Sequence, residues 1–336
     1  MIVEKIKDKL KDYEGGQFQS ELIVATTNNF NIRSDKKYDL IINLEITNNI
    51  RRINKFHETV NLNLINSGYY VSCCETLSER KVRNRKKIPL GFKNLFLIID
   101  FIYKRVVPKL PVLKVIYFAV SDGRNRVMSE YEMLGRLISC GFEIKESFEY
   151  DNLLYIISRR KKGPDYNLQA SYGPLFKMKR IGKSGKVIYI YKLRTMYPYS
   201  EYLQESLYET NQLNQDGDKI SNDPRITGWG RFFRKFWIDE LPQLYNLIKG
   251  DISLVGVRAL SQAKYNLYDD DLKHKRIQFK PGLIPPFYVD LPQNFKDFQS
   301  SERKYLDKKN KKPFKTDLEY FFKACINILF KGARSS

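Results

Sequence analysis

The stretch from residue 221 to residue 260 constrains the fold of this chain more than any other. Asp223-Pro224 opens a turn, and the basic, aromatic run from Ile226 to Trp237 predicts a helix. Proline is tolerated only in the first turn of a helix, so Pro242 fixes where the next helix starts. That helix is predicted to begin near Leu241 and run to Gly250, and its apolar face comprises Leu241, Leu244, Leu247 and Ile248.

Two adjacent carboxylates, Asp239 and Glu240, directly precede this second helix. A helix N-terminus favours ionised acids, and acidic caps are common. A cap, however, needs no cations around it. Here the pair is flanked by more basic residues than a cap requires: Arg225, Arg231, Arg234 and Lys235. The setting predicts a reactive site in which the carboxylates stay ionised at neutral pH.

A basic hairpin is predicted immediately upstream, between residues 173 and 196. A strand from Phe176 to Arg180 and a strand from Val187 to Leu193 flank the turn Gly182–Gly185. Such a hairpin presents several cations on one face, and it ends in Lys192 and Arg194. By itself it indicates a general anion site.

The first 160 residues are typical of an α/β region. The order of predicted elements over about residues 35–160 resembles the later half of a class I methyltransferase fold. The glycine-rich turn that would hold S-adenosylmethionine is missing after an early strand, and Gly15-Gly16 lies in a polar stretch. We therefore expect a remnant scaffold that does not bind this cofactor. The elements are strands Tyr38–Leu44, Tyr69–Cys73, Phe142–Ile144 and Leu153–Ser158, and helices Arg51–Ile65, stopped by Asn66-Ser67-Gly68, and Met133–Ile138.

Residues 93–120 form an unusual apolar segment within this region. Aromatic and aliphatic side chains dominate, with lysines and an arginine interleaved. This mixture is typical of an interfacial helix, whose rings lie at headgroup depth while its cations meet anionic lipid. Pro108 and Pro111 break the segment, which predicts a re-entrant or surface-lying pair of helices. A buried helical pair with exposed lysines is the alternative.

The composition indicates a polyanionic binding partner but does not distinguish among the candidates. The chain of 336 residues holds 59 Lys and Arg against 38 Asp and Glu, a formal charge of +21, which points to nucleic acid, an anionic membrane or phosphorylated substrates. The four cysteines show no metal-ligand spacing and the chain has two histidines, so we expect no zinc site. The N-terminus lacks the apolar region of a signal peptide, and no run reaches the roughly 18 apolar residues of a spanning helix.

Taken in order, the blocks of the C-terminal half resemble the bacterial sugar transferase family, the monotopic polyprenyl-phosphate phosphoglycosyl transferases. The matching pieces are the Gly-Pro to Gly-x2-Gly block (Gly173–Gly185), YKLRTM (Tyr191–Met196), DPRITGWGRFFRK (Asp223–Lys235), DELPQLYNLIKGDISLVG (Asp239–Gly256) and KPGL (Lys280–Leu283). The resemblance implies transfer of a sugar phosphate from a UDP-sugar to a polyprenyl (undecaprenyl) phosphate, which initiates exopolysaccharide, capsule or glycoconjugate synthesis.

The resemblance also implies residue roles. Asp239 is the nucleophile that attacks the β-phosphorus and carries a covalent phosphosugar, and Glu240 helps it hold Mg²⁺. Arg258 matches the family arginine that meets nucleotide phosphates. Further substrate-binding positions are Lys192, Arg194, Arg225, Arg231, Arg234, Lys280, Glu302 and Asp317.

Two departures from the family pattern stand out. VGVRAL replaces both prolines of the family's VGPRP around Arg258. The family's re-entrant helix usually precedes the Gly-Pro block directly, but the polar KKGPDYNLQASY stands there in this chain. We expect segment 93–120 to take the anchoring role instead.

The predicted architecture is thus α/β, in two domains. Residues 1–160 form the methyltransferase-like region with its inserted membrane-interacting segment, and residues 161–336 a mixed α+β phosphoglycosyl transferase domain. We expect attachment to the cytoplasmic face of the inner membrane through anionic lipid, and no nucleic-acid partner. Two rival interpretations stay open: a degenerate family member that only binds membrane or partners, and a methyltransferase.

Overall fold

The structure is a computed structural model that describes residues 2–13, 18–87, 92–110, 112–166, 172–203 and 223–330. The chain divides into two compact units. The first comprises Met1–Pro174 and Met196–Asn211, and the second Leu175–Thr195 and Gln212–Ser336. The predicted domain boundary at residue 160 stays a prediction. Gly15-Gly16 and Pro111 lie outside the described residues.

The first unit is an α/β layer structure. Its elements are α1 (Ile2–Leu10), β1 (Glu21–Val24), β2 (Tyr38–Ile46), α2 (Ile53–Asn63), β3 (Leu64–Cys74), α3 (Leu77–Lys87), α4 (Lys93–Phe101), α5 (Leu113–Ser121), α6 (Glu130–Ser139), β4 (Phe142–Tyr150) and β5 (Leu153–Arg160). Between α4 and α5 the chain passes through a π-helical turn, Ile102–Val106, and a 3-10 turn, Val107–Lys109.

One five-stranded sheet organises this unit, in the order β1-β2-β3-β5-β4. Strands β1 to β3 run parallel, and β5 runs antiparallel to both of its neighbours. Alternate side chains enter two cores, as the period of two in a strand requires. Ile41 and Tyr70 enter one core with α2 and α6, whereas Leu40 and Val71 enter the other with α1. The predicted strands and the helix around Met133 are confirmed; descent from a methyltransferase stays a prediction.

The predicted stop at Asn66-Ser67-Gly68 was wrong. Helix α2 already ends at Asn63, and these three residues lie inside β3. Ser67 has a φ of 65°, and the pairing with β2 shifts register between Leu64 and Tyr69. The turn-forming residues therefore make an irregularity within a strand rather than a break between elements.

The second unit is a mixed assembly of short strands and helices. Its elements are β6 (Leu175–Ile181), β7 (Val187–Leu193), α7 (Gly228–Lys235), α8 (Gln243–Lys249), β8 (Ser253–Val255), α9 (Gln262–Asn266), α10 (Asp270–Ile277), β9 (Gly282–Ile284), α11 (Phe287–Asp290), α12 (Phe295–Lys311) and α13 (Pro313–Phe330). Strands β6 and β7 form the predicted antiparallel hairpin, and β8 pairs with β9 in parallel.

The core of the second unit lies between the β8–β9 pair and the helices α10, α12 and α13. Val255, Leu272, Tyr305 and Tyr320 are buried there. Among the helices that the structure describes, none has both the length and the apolar character needed to cross a bilayer. Both units combine helices and strands, so the chain is of the mixed α/β class, as predicted.

Candidate functional site

The candidate site is built around the turn that joins α7 to α8. Trp237 takes a left-handed conformation with a φ of 57°, and Ile238–Glu240 form a single 3-10 turn. Asp239 is buried in this turn, while α8 begins only at Gln243, after Pro242. Neither carboxylate caps α8, which begins without a side-chain cap hydrogen bond, and Glu240 instead accepts a bond from Lys192.

Two cations border the carboxylate pair. The Lys192 ammonium at the end of β7 lies 2.5 Å from a carboxylate oxygen of Glu240. Arg234 in α7 is close enough to Asp239 to interact with it electrostatically. Burial raises the pKa of Asp239 and Glu240 raises it further, whereas Lys192 and Arg234 lower it; the net shift is upward. The flanking cations oppose this upward shift without cancelling it, and ionisation of Asp239 at neutral pH stays a prediction.

Helix α7 packs closely against Thr195, just after the β6–β7 hairpin. The Thr227 hydroxyl accepts a bond from the Gly230 amide at 2.9 Å and donates to the Thr195 carbonyl at 3.0 Å. A Cβ on Gly230 would lie 2.1 Å from that same carbonyl oxygen, so only glycine permits this approach. The Arg234 guanidinium then donates to the Thr195 hydroxyl at 2.9 Å. This packing fixes where Arg234 stands.

Helix α8 is attached to β7 by a buried amide. The Asn246 side chain donates to the Tyr189 carbonyl at 2.6 Å and accepts from the Tyr191 amide at 3.1 Å. It also donates to Asp251 at 3.1 Å. All of these hydrogen bonds join Asn246 to β7 or to Asp251 just after α8. The buried amide therefore holds α8, and with it the turn that carries Asp239, beside the hairpin.

Three further predicted arginines have different surroundings. Arg225 is buried and forms a bidentate pair with Asp223, with Nε–Oδ1 and Nη2–Oδ2 distances of 2.9 and 2.7 Å. This pair is near enough to interact electrostatically with Arg234. Arg194 is buried with its guanidinium 5.1 Å from the centre of the Phe176 ring. Arg231 is exposed on α7.

A second group of cations surrounds Arg258. This residue is exposed, lies 5.8 Å from the Phe287 ring, and interacts electrostatically with Arg180 of β6. Arg276 donates to the backbone carbonyl of Arg258 and forms a buried ion pair with Glu302. Glu302 is therefore linked to the backbone at Arg258 through Arg276. Its role in substrate binding stays a prediction.

Lys280 and Asp317 also lie apart from the carboxylate pair. The Lys280 ammonium is near Gly250, at the end of α8 that is opposite to Asp239. Asp317 accepts a bond from the Tyr305 hydroxyl at 2.7 Å and pairs with Lys309 at 3.0 Å. The structure thus brings Lys192 and Arg234 to the carboxylates and places Arg225 near Arg234, while substrate binding by the other predicted residues stays a prediction.

The helices that flank the carboxylates expose apolar side chains. The predicted apolar face of α8 does not enter a core, because the buried positions of this helix are Gln243 and Asn246. The apolar face that the sequence predicts for this helix is therefore turned away from the buried side of α8. Exposed apolar residues on α7, on α8 and in the turn between them are Trp229, Phe232, Phe236, Leu241, Leu244, Tyr245 and Ile248.

Sequence reasoning missed four residues that shape the site: Asp223, Thr195, Asn246 and Arg180. Thr195 and Asn246 stand inside the YKLRTM and DELPQLYNLIKGD blocks, whose recognisable signals are charge and helical periodicity. Neutral hydrogen-bonding side chains contribute to neither signal. Asp223 was taken as a turn residue, and its position two residues before Arg225 was the available signal.

Residues 166–331 match the family model described as bacterial sugar transferase. This region of the chain belongs to the bacterial sugar transferase family, and the predicted resemblance is confirmed.

Similar proteins have names that agree with this family. The segment is 40% identical over 127 residues to the galactosyl transferase CpsE of Streptococcus agalactiae, covering 38% of this chain and 28% of that protein. It is 37% identical over 123 residues to the undecaprenyl-phosphate galactose phosphotransferase of Salmonella typhimurium, covering 35% and 26%. It is 39% identical over 108 residues to the uncharacterized sugar transferase EpsL of Bacillus subtilis, covering 32% and 46%. The chain thus spans about a quarter of the length of the first two relatives.

Proposed function

We propose that this protein is a phosphoglycosyl transferase that moves a sugar phosphate from a UDP-sugar to a polyprenyl phosphate. The observation that carries the proposal is the buried Asp239 carboxylate, held between Lys192, Glu240 and Arg234 in a turn bordered by exposed apolar helices. Relatives named as undecaprenyl-phosphate galactose phosphotransferase and UDP-galactose-lipid carrier transferase support the same chemistry.

In the first step the Asp239 carboxylate attacks the β-phosphorus of the UDP-sugar. A bond forms between the aspartyl oxygen and phosphorus, and the bond from this phosphorus to the bridging oxygen breaks. UMP leaves with the electron pair, and an aspartyl phosphosugar ester remains. In the second step a phosphate oxygen of the polyprenyl phosphate attacks the same phosphorus. The aspartyl oxygen leaves, which restores the carboxylate and yields the polyprenyl diphosphosugar.

The raised pKa of Asp239 suits this role. A desolvated carboxylate is a stronger nucleophile than a hydrated one, and it is ionised once the pH exceeds its pKa. Arg234 and Lys192 stand where they would stabilise negative charge on the phosphoryl oxygens as UMP departs. The Thr195 and Asn246 contacts hold these groups in place before the substrate binds.

Mg²⁺ fits the donor set around the turn. No group of three or more potential ligands occurs in the described part of the chain, but Mg²⁺ is often bound by one or two carboxylates together with substrate phosphates and water. Asp239 and Glu240 supply two carboxylates, and their mutual repulsion contributes to the raised pKa of Asp239. When bound, the ion would neutralise diphosphate charge. Asp239 and Glu240 would hold it.

The lipid acceptor is supported by the exposed apolar side chains of α7 and α8. Phe232, Leu244 and Ile248 are 54%, 47% and 86% exposed, next to a site whose reactive group is buried and polar. This arrangement would let an apolar acceptor chain lie against the helices while its phosphate reaches Asp239. A polyprenyl acceptor further implies that the enzyme works at a membrane, and we assign it to the cytoplasmic face, where UDP-sugars are made.

A degenerate family member is the second candidate, favoured by one observation: VGVRAL lacks both prolines beside Arg258. One assay separates the candidates. The purified chain is incubated with UDP-galactose or UDP-N-acetylgalactosamine, Mg²⁺ and undecaprenyl phosphate, and UMP is quantified. We expect UMP to form in proportion to the acceptor. Absence of UMP with a panel of UDP-sugars would contradict the proposal and favour the degenerate member.

A further inference from the structure

In the described residues between Phe92 and Ser121, two charged side chains, Asp100 and Arg105, are buried, while many apolar side chains are exposed. Asp100 of α4 is buried, and it accepts two bonds from the guanidinium of Arg80 at 2.7 and 3.0 Å. Arg105 in the π-helical turn is also buried. It donates to the Val127 carbonyl at 2.9 Å and pairs with Glu132 of α6.

These internal ion pairs fix the rotation of the segment. Arg80 is only 2% exposed and also bonds to Glu75 and to Asn125. Burial alone would raise the pKa of Glu132, but Arg105, Lys109 and Arg136 hold it below its ordinary value. Rotating α4 to bury its apolar side would separate Asp100 from Arg80, and breaking a buried ion pair is strongly destabilising. The apolar face is therefore held toward the outside.

The two helices that carry this outward face hold few charged residues, and Lys104 and Lys109 in the turns between them are half-buried. Within the described stretch from Asn94 to Tyr103, Asp100 is the one charged residue and it is buried. On α5, Lys114 is the one charged residue from Leu113 to Ser121. The exposed apolar residues, between 41% and 75% exposed, are Phe92, Leu95, Phe96, Ile98, Ile99, Ile102, Tyr103, Val112, Leu113, Val115, Ile116 and Val120.

A cationic helix lies next to this face. Helix α3 packs against α4 and exposes Lys81, Arg85 and Lys86. An apolar surface without a polar network, flanked by cations, matches an anionic bilayer, in which acyl chains meet the apolar residues and headgroup phosphates meet the basic ones. A soluble partner would be expected to meet hydrogen-bonding groups across its interface.

We propose that the face formed by α4, the π-helical turn and α5 docks the first unit in the plane of an anionic lipid surface. The buried ion pairs Arg80–Asp100 and Arg105–Glu132 hold the segment in the rotation that exposes this face. This docking goes beyond the proposed chemistry. Because its test uses no sugar nucleotide or acceptor, it fails or succeeds independently of the transferase assignment.

Flotation of the full chain with vesicles provides the first test. Vesicles of phosphatidylcholine alone are compared with vesicles that also contain phosphatidylglycerol. We expect Ile98→Glu/Ile116→Glu to reduce the bound fraction on anionic vesicles by about tenfold, since two apolar anchors are replaced by anionic groups. Phe30→Glu/Ile65→Glu alters two exposed apolar residues elsewhere in the same unit and should bind as wild type does. Circular dichroism and the Tm identify any variant that fails to fold.

A fluorescent probe tests insertion of this face itself. Cys73, Cys74 and Cys140 are buried, so Cys325→Ser gives a background for labelling. The environment-sensitive dye NBD is attached at Ile116→Cys, or at Phe30→Cys as the control. The proposal predicts a blue shift and a rise in intensity at position 116 alone when anionic vesicles are added. A probe at 116 that stays in water while the protein floats would overturn it. So would a shift produced by a second copy of the chain without lipid.

Discussion

The Lys192 ammonium lies 2.5 Å from the Glu240 carboxylate, and this ion pair joins the end of the β6–β7 hairpin to the turn that carries Asp239. Lys192 also lowers the pKa of Asp239, against the upward shift that burial causes. One lysine thus binds Glu240 and lowers the proton affinity of Asp239, the proposed nucleophile.

Replacing Lys192 by methionine should move the pH profile of the enzyme. Without the ammonium the pKa of Asp239 rises further, and a protonated carboxyl cannot attack phosphorus. The acidic limb of the kcat/KM profile should therefore shift to higher pH, with a loss of about tenfold or more at neutral pH. Lys183→Met changes an exposed lysine of the hairpin turn and should leave the profile in place. An unchanged acidic limb in Lys192→Met would contradict the role of Lys192.

Asp239→Asn should stabilise the protein at neutral pH while it removes activity. The native state raises the pKa of Asp239, so it binds this proton more tightly than the unfolded chain does. The ionised group therefore lowers the free energy of unfolding above the native pKa, and it has no effect below the unfolded value of about 3.9, where both states are protonated. Urea unfolding of wild type and variant measures the difference. A variant that is less stable at neutral pH would show that the carboxylate has a structural role.

A pair of glycine substitutions in α7 tests the docking of this helix. A Cβ on Gly230 would meet the Thr195 carbonyl at 2.1 Å, whereas a Cβ on Gly228 would meet nothing within 4 Å. Gly230→Ala should cost about 1–3 kcal/mol and reduce turnover, because α7 must move and Arg234 with it. Gly228→Ala should be neutral or stabilise by up to about 1 kcal/mol. Equal effects of the two substitutions on Tm and turnover would exclude this close approach.

Two carboxylates of α12 should differ sharply in their contribution to stability. Glu302 pairs with the buried Arg276, while Asp307 pairs with Lys275 at the surface. Glu302→Ala leaves a buried cation without its partner and should lower the free energy of unfolding by about 3–5 kcal/mol. Asp307→Ala should cost less than about 1 kcal/mol. If Glu302→Ala weakened UDP-sugar binding with no loss of stability, Glu302 would be a ligand-binding residue instead.

Local signals in the sequence predicted most elements that surround the site. The proline at 242 and the glycine at 250 delimit α8, and the turn Gly182–Gly185 marks the hairpin. These positions have strong conformational preferences, so a local rule suffices. The rule failed at Asn66-Ser67-Gly68, where pairing of β3 with β2 absorbs the turn residues as an irregularity. Such tertiary pairing leaves no local trace.

The orientation of α8 could not be predicted for a different reason. Period 3.6 shows which residues share a face of a helix, but it does not say whether that face meets a core, water or lipid. Asn246 decides the matter by bonding to β7, and a single asparagine carries no such information in a sequence. The sequence also does not show that Arg276 donates to the backbone carbonyl of Arg258, because this tertiary contact follows no local pattern.

The mass of the intact protein after reaction with a UDP-sugar, with no acceptor lipid present, tests the central claim most directly. Wild type should gain the mass of one phosphosugar as UMP is released, and adding undecaprenyl phosphate should remove it. Asp239→Asn keeps the shape of the side chain but is not a nucleophile, so it should gain none while it still binds the nucleotide. An adduct on Asp239→Asn, or turnover by this variant at the wild-type rate, would contradict the assignment of Asp239 as the nucleophile.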